Sequence, residues 1–224
     1  MVSVVIADRM VSLARREALW RGILLGAVGA LAAVLLLAPV VARAQSIPRE
    51  ALDLRRDIIR TGRHVWGLDA PTSAFAAQIH QESRFRLDAV SPVGAQGIAQ
   101  FMPSTRRWIM AQYPAELGGD YMTADWGIRA LVRYDKHLYD RLSGVDLCER
   151  VAFALAAYNG GWGWVIKRKQ RSASPDVCLF ATCDINPGIT AANQHENSMY
   201  PRRILLTLEP IYAASGFGPG ACTR

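Results

Sequence analysis

Apolar residues recur along this chain at helical intervals, and no alternating strand of convincing length interrupts them. From a start at Ser46 to Pro48, Ala51, Leu54, Ile58, Thr61 and Val65 form an amphipathic stripe to about Trp66. Asp69 and Pro71 open a second helix, in which Phe75, Ile79 and Glu82 stand at i, i+4, i+7 and Phe85 extends the stripe. A short helix continues past Thr105 through Trp108 and Ile109 to about Tyr113, and Pro114 to Asp120 is a turn-rich link. The segment from Thr123 to Leu142 is the longest helix candidate, with Ile128, Leu131, Leu138 and Leu142 on one face and Arg129, Arg133, Lys136 and Arg141 mostly on the other; it reads as packing. Glu149 to Tyr158, ERVAFALAAY, is small and apolar on nearly every side, which predicts a buried central helix ending in the Asn-Gly-Gly stop at 159–161. Ile204, Leu205, Leu208 and Ile211 supply the apolar side of a last helix, which Gly216 to Gly220 ends. The fold class is therefore mainly α, with a short irregular β-hairpin between Arg86 and Gln100; residues 172–192 carry too little periodicity for a prediction.

One apolar stretch stands apart. Arg9, Arg15, Arg16 and Arg21 precede an unbroken run from Gly22 to Ala42, followed by Arg43, Ala44 and Gln45. This pattern predicts a signal peptide cut after Ala44. The run is also close to the roughly 20 residues that span a bilayer, so an uncleaved anchor in the inner membrane through 22–42 is the rival reading. Either places residues 45–224, the single folded domain, beyond the inner membrane, in the periplasm or cell envelope.

The cysteines agree with export. Cys148, Cys178, Cys183 and Cys222 all follow the apolar run, an even number in a compartment that permits disulfides. Of the three pairings, Cys178 with Cys183 and Cys148 with Cys222 is preferred. A zinc site is a poor alternative, because there is no CxxC pair and His64, His80, His137 and His195 show no ligand spacing. The chain carries 26 basic and 19 acidic residues; with 5 and 2 of them in residues 1–44, the exported part is left at +4. That mild charge suits weak attraction to an anionic polymer, or solubility alone. The run from Lys167 to Arg171 lacks interleaved aromatics and a nucleic-acid-binding motif, so it reads as a solvated loop and nucleic acid is excluded as a partner.

The candidate chemistry lies between Glu82 and Thr105. A carboxyl on a half-apolar helix face loses solvation, its charged form is disfavoured, and its pKa rises toward the range where it can donate a proton near neutral pH. After Ser83 the chain turns into a loop with Ser91, Pro92, Gly94 and Gly97, then Gln100, Met102, Pro103 and Thr105. Gly and Pro at this density mark tight turns that bring backbone close to a ligand or another segment. The sequence ESRFRLDAVSPVGAQGIAQFMPST resembles, at a dozen spaced positions, the signature of the lytic transglycosylase family with the goose-type lysozyme-like fold. The departures are mild: Ile98 and Ala99 stand where that family usually has Leu and a larger apolar residue. AYNGG at 157–161, followed by Val165, resembles the second family motif, and Glu196, Asn197, Ser198, Met199, Tyr200 with Ile204 beyond resembles the third, although Asn197 replaces the usual Thr and Pro201 follows the Tyr directly.

The resemblance implies a fold with a cleft and a set of roles. Glu82 is the catalytic acid and base; Ser91 and Gln100 bind or orient a muramyl residue; Met102 packs against the sugar; Tyr158 holds the acid; Asn159 contacts substrate or shapes the wall; Glu196 and Tyr200 complete it. The implied reaction cleaves the β-1,4 bond between N-acetylmuramic acid and N-acetylglucosamine in peptidoglycan, forming a 1,6-anhydro product, with glycan strands as the partner and no metal or organic cofactor. Two rivals stay open: a hydrolytic muramidase, which would need Asp88 or Asp120 as a second carboxylate, and a noncatalytic wall-binding module. Trp162 and Trp164 are either cleft-edge aromatics or core packing.

Overall fold

The computed structural model describes residues 47–222. The apolar run at 22–42 and the predicted cleavage after Ala44 lie outside the described residues. Eight α-helices follow in order: α1 Arg49–Trp66, α2 Thr72–Ser83, α3 Pro103–Gln112, α4 Ala124–Tyr139, α5 Leu147–Gly160, α6 Trp162–Arg171, α7 Ala191–Arg202 and α8 Glu209–Ala214, with a 3-10 turn at Thr182–Asp184 and a π-helical stretch, Arg203–Leu208, between α7 and α8. Among the described residues the only extended pairing is two isolated antiparallel bridges, Val90 with Gln96 and Gln96 with Phe101. These are the irregular hairpin.

The α5 helix is central, as its composition requires. Val151 to Ala157 are all buried, and the helix packs against α4, α6 and α7. Asp146 caps its start, accepting from the Glu149 N–H at 2.9 Å, and Gly161 closes its end at φ 99°, a conformation that side chains resist. The α4 helix begins at a Thr123 cap and ends at Tyr139, three residues short of the predicted end; among the described residues α1, not α4, is the longest helix. Pro201 lies buried inside α7, and the π stretch follows at once. A π turn takes up an extra residue, so the buried face changes phase: Tyr212 is buried where Ile211 was expected to be.

The segment Lys167 to Arg171 corrects its sequence reading. It is the last part of α6, not a solvated loop: Arg168 is fully buried and donates to the Ile185 carbonyl (3.0 Å) and Gln194 Oε1 (2.8 Å), while Lys169 ties down the Ser143 and Pro175 carbonyls. Residues 172–192 are pinned the same way, since Glu149 of α5 accepts from the Cys178 and Leu179 N–H groups and Cys178 is bonded to Cys183. The second disulfide, Cys148 to Cys222, fixes the chain end to the first turn of α5. Buried Glu209 accepts from the Ala221 and Cys222 N–H groups, and Ser73 and Thr72 of α2 donate to the Gly218 and Phe217 carbonyls. The tail is thereby clamped over the start of α2, whose other end carries Glu82.

Candidate active site

The α2 helix is apolar enough to be buried from Thr72 to Ile79, which delivers its last turn into the interior. Two residues in left-handed backbone, Arg84 (φ 54°) and Phe85 (φ 66°), then reverse the chain. The strain is held by packing: Phe85 leaves the helix stripe it was expected to extend and buries its ring against Tyr212 and His80. Ser83 Oγ donates to the Ile98 carbonyl at 2.7 Å, so the loop returns against the helix end. Gly127 lets α4 approach that loop closely; a Cβ there would lie 2.2 Å from Ile98 Cγ2. The result is a cleft of about 500 Å³ lined by Glu82, Ser91, Gln100, Met102, Tyr158, Asn159, Glu196 and Tyr200, among others. All eight residues singled out from the sequence meet there.

Their roles are distributed differently from the expectation. Tyr200, from α7, donates its hydroxyl to Glu82 Oε1. The Tyr158 hydroxyl instead donates to the Ala99 carbonyl at 2.7 Å, so the tyrosine that holds the acid is Tyr200, while Tyr158 braces the loop. Ser91 Oγ accepts from the Ala95 N–H (2.9 Å), and Gln100, at φ 48°, spends its amide nitrogen on the Ala89 and Gly97 carbonyls (3.0 and 2.8 Å). Both therefore shape the loop, and Gln100 also lines the cleft. Asn159 donates to Glu196 Oε1 at 3.3 Å and accepts from Asn197 at 3.0 Å. Asn197 is buried and also reaches the Ala156 carbonyl, so it stitches α7 to the end of α5; a Cβ at Gly160 would sit 2.4 Å from its nitrogen.

Burial pushes the Glu82 carboxyl up to about 8, the Tyr200 hydrogen bond pulls it down, and the charge of Glu196 pushes it up. Burial likewise keeps the Tyr158 and Tyr200 phenols well above their ordinary range, so both remain O–H donors. Asp88 and Asp120 are exposed and do not line the cleft; its carboxylates are Glu82 and Glu196. Among the described residues no group of three or more His, Cys, Asp or Glu side chains is placed to hold a metal ion.

Residues 66–177, half of the chain, match the family model of the transglycosylase SLT domain. The chain belongs to that family. Over 105 residues this SLT-domain chain is 35% identical to the membrane-bound lytic murein transglycosylase F of Pseudoalteromonas translucida, a match covering 45% of the chain and 21% of that relative. Its fold is similar to that of an inactive mutant of lytic transglycosylase Slt from Pseudomonas aeruginosa (TM-score 0.57, 24% identity, 76% of this chain and 25% of the other). It is also similar to the 70 kDa soluble lytic transglycosylase from Escherichia coli (TM-score 0.56, 22% identity, 74% and 25%). The chain thus spans about a fifth to a quarter of these relatives.

The SLT domain holds one buried acid that the helical pattern offered and the sequence reading passed over. Asp135 of α4 is 3% exposed and accepts from Gln78 Nε2 at 3.3 Å. Burial, and the charge of Glu82, hold its pKa well above the usual carboxylate range. Leu131, Asp135 and Leu138 have the same i, i+4, i+7 spacing of an acid with apolar residues that drew attention to Glu82.

Two predictions follow from this chemistry. Glu82 and Asp135 both have folded-state pKa values above those of an unfolded chain. Between pH 4.5, the ordinary value for Glu, and about 8 the unfolded state has lost the Glu82 proton and the folded state still holds it. Stability therefore falls as pH rises through that window. Melting temperatures at pH 5 and pH 8 should show the loss in the parent and a smaller one in Glu82→Gln; equal slopes in the two proteins would rule Glu82 out as its source.

Tyr200→Phe removes a donor that favours the Glu82 carboxylate, so the Glu82 pKa rises above about 8. If Glu82 is the group that gives up a proton, the alkaline limb of the pH–rate profile should move upward, with kcat about tenfold lower because its carboxylate loses a hydrogen-bond partner. A limb that moves down, or stays, would refute this coupling.

Proposed function

We propose that this chain is a peptidoglycan lytic transglycosylase that cleaves the β-1,4 bond between N-acetylmuramic acid and N-acetylglucosamine. The observation that carries the reading is Glu82: a carboxyl with a pKa near 8, hydrogen-bonded to Tyr200 and open to a cleft in which the other carboxylate, Glu196, is engaged by Asn159. A group still protonated at neutral pH can give its proton to the glycosidic oxygen as the C1–O bond breaks. Once ionised, and stabilised by the Tyr200 hydroxyl, it accepts the proton of the sugar's own C6 hydroxyl as that oxygen attacks C1. No water is consumed, the acid regains its proton, and the product carries a 1,6-anhydro ring. The substrate's acetamido oxygen is the group that meets the positive charge at C1. Ser91, Gln100, Met102, Asn159 and Glu196 form the walls that orient the muramyl residue.

Asp88 and Asp120, the second carboxylates that the muramidase alternative called on to position water, lie outside the cleft, and the Glu196 carboxylate inside it is engaged by Asn159; both tell against that alternative. Mass spectrometry of muropeptides released from purified peptidoglycan tests the choice. Anhydro-muramyl ends support the proposal; reducing ends, heavier by one water, overturn it in favour of hydrolysis.

The reading extends to location. Both disulfides, and the basic, apolar and small-residue sequence of residues 1–44, support export to the periplasm or cell envelope, with the run at 22–42 cleaved or retained as an inner-membrane anchor. No helix among the described residues is long and apolar enough to cross a membrane. Alkylation after reduction, compared with alkylation without it, checks the redox part of this reading on protein taken from the envelope.

A further inference from the structure

Beside the cleft lies a second cavity, of about 510 Å³, that the chemistry at Glu82 does not use. It opens between α3, the C-terminal end of α4 and the first residue of α6. Thr105 and Tyr134 line both cavities, so the two adjoin across these side chains. Its walls are aromatic. Trp108 is 38% exposed and Trp162 44%, large apolar surfaces left open in a concave place. Trp108 is not loose: its ring meets His137 at 4.7 Å and Tyr134 at 5.9 Å, both edge to face, and Tyr134 in turn meets Tyr158 at 5.3 Å. A continuous rank of rings therefore runs from the Tyr158 wall of the cleft out to Trp108. Arg141 stands at this cavity with one N–H given to the His137 carbonyl and the rest of its guanidinium exposed.

We propose that this cavity is an additional binding site for a saccharide unit of the same glycan strand, remote from the scissile bond, with Trp108 and Trp162 as its stacking surfaces and Arg141 facing the anionic groups of the polymer. The proposal rests on the reading of the cleft as a peptidoglycan site. A strand whose reacting bond lies at Glu82 must continue along the surface, and the continuous rings set its course. Indole rings offer broad, rigid apolar faces to the C–H face of a pyranose and to an acetamido methyl. The volume lies within the usual range for a small-molecule site. The site holds a strand in register without touching the reacting atoms, so it favours long strands over short ones.

The test uses the full chain, its Trp108→Ala and Trp162→Ala variants, and peptide-free glycan oligomers, a tetrasaccharide and an octasaccharide, prepared by removing the stem peptides enzymatically. The expected result is a fall of about tenfold in kcat/KM on the octasaccharide, the size of losing one large buried aromatic face, with the tetrasaccharide unchanged. Trp108→Phe and Trp162→Phe should restore most of the loss, and a folding defect is told apart because it would lower the tetrasaccharide rate as well. A parallel binding titration of the octasaccharide in the Glu82→Gln background should show the same loss on removing either Trp. Equal effects on both oligomers, no effect on either, or an effect confined to peptide-bearing strands would overturn the proposal, the last in favour of a stem-peptide site. Undiminished octasaccharide binding after Trp removal sinks this inference alone; no binding of either oligomer by the Glu82→Gln chain sinks it together with the proposed function.

Discussion

Glu82→Gln should leave a folded protein that releases anhydro-muropeptides at least about a thousandfold more slowly than the parent, since the proposed mechanism has the lost group serve as acid in one step and base in the next and each role is worth about 10²–10⁴. The amide has nearly the shape of the protonated acid, and the parent carries that acid largely protonated at neutral pH, so packing in the last turn of α2 should survive. It can still accept from Tyr200. What it lacks is a transferable proton. The measurement is the initial rate of muropeptide release by the two proteins at pH 7, with melting curves alongside. A variant that cleaves at the parent's rate would end the assignment of Glu82 as the acid, and a variant that also fails to fold would leave the rate comparison to Glu82→Ala and Tyr200→Phe, whose effects must then fall in the same order.

The second large effect concerns stability. Replacing Cys148 and Cys222 with Ala should lower stability by about 4 kcal/mol, because their bond closes a span of 74 residues and the unfolded chain loses most freedom when a long loop is closed. The Cys178–Cys183 bond closes a span of 5, for which the same argument gives about 2 kcal/mol. For a domain of this size the longer bond then corresponds to a drop of about 8–16 °C in melting temperature, against about half that for the shorter one. Melting curves of the two double-alanine variants decide it, and the reverse ranking would mean that the 172–192 region, which the short bond closes on itself and Glu149 ties to the central helix, matters more than chain entropy allows. Reduction should reproduce the sum of the two.

The helices were legible because their causes are local. ERVAFALAAY is small and apolar on nearly every side, which predicts a central helix, and both disulfides could be paired by preferring one short and one long loop. The eight cleft residues were legible through motif spacing, and they do converge. The roles within the cleft were harder, since a motif says which residues are near the acid and not which hydroxyl reaches it. Tyr158 and Tyr200 come from different helices, and only the crossing of α5 and α7 decides that Tyr200 donates to Glu82 and Tyr158 to Ala99. Asp135 was legible in principle from its spacing. Arg84, Phe85 and Gln100 were not: nothing local prefers left-handed backbone at Arg or Phe, and these conformations persist because the Phe85 ring is buried and the Gln100 amide holds two carbonyls. The same holds for Arg168, whose buried position no charge count could distinguish from a surface cation.

The Cys148–Cys222 bond also divides the cleft in a way that the list of lining residues conceals. Tyr158, Asn159, Glu196 and Tyr200 all lie inside the covalent ring that it closes, whereas Glu82, Ser91, Gln100 and Met102 lie outside it. The cleft is thus a seam between a cross-linked half and a half joined to it by the main chain at 147–148, burial and hydrogen bonds, and the Tyr200 to Glu82 bond is a rivet across that seam. The Glu82 carboxyl lies outside the covalent ring, and the Tyr200 hydroxyl that meets it lies inside, so the contact that tunes the acid crosses the seam.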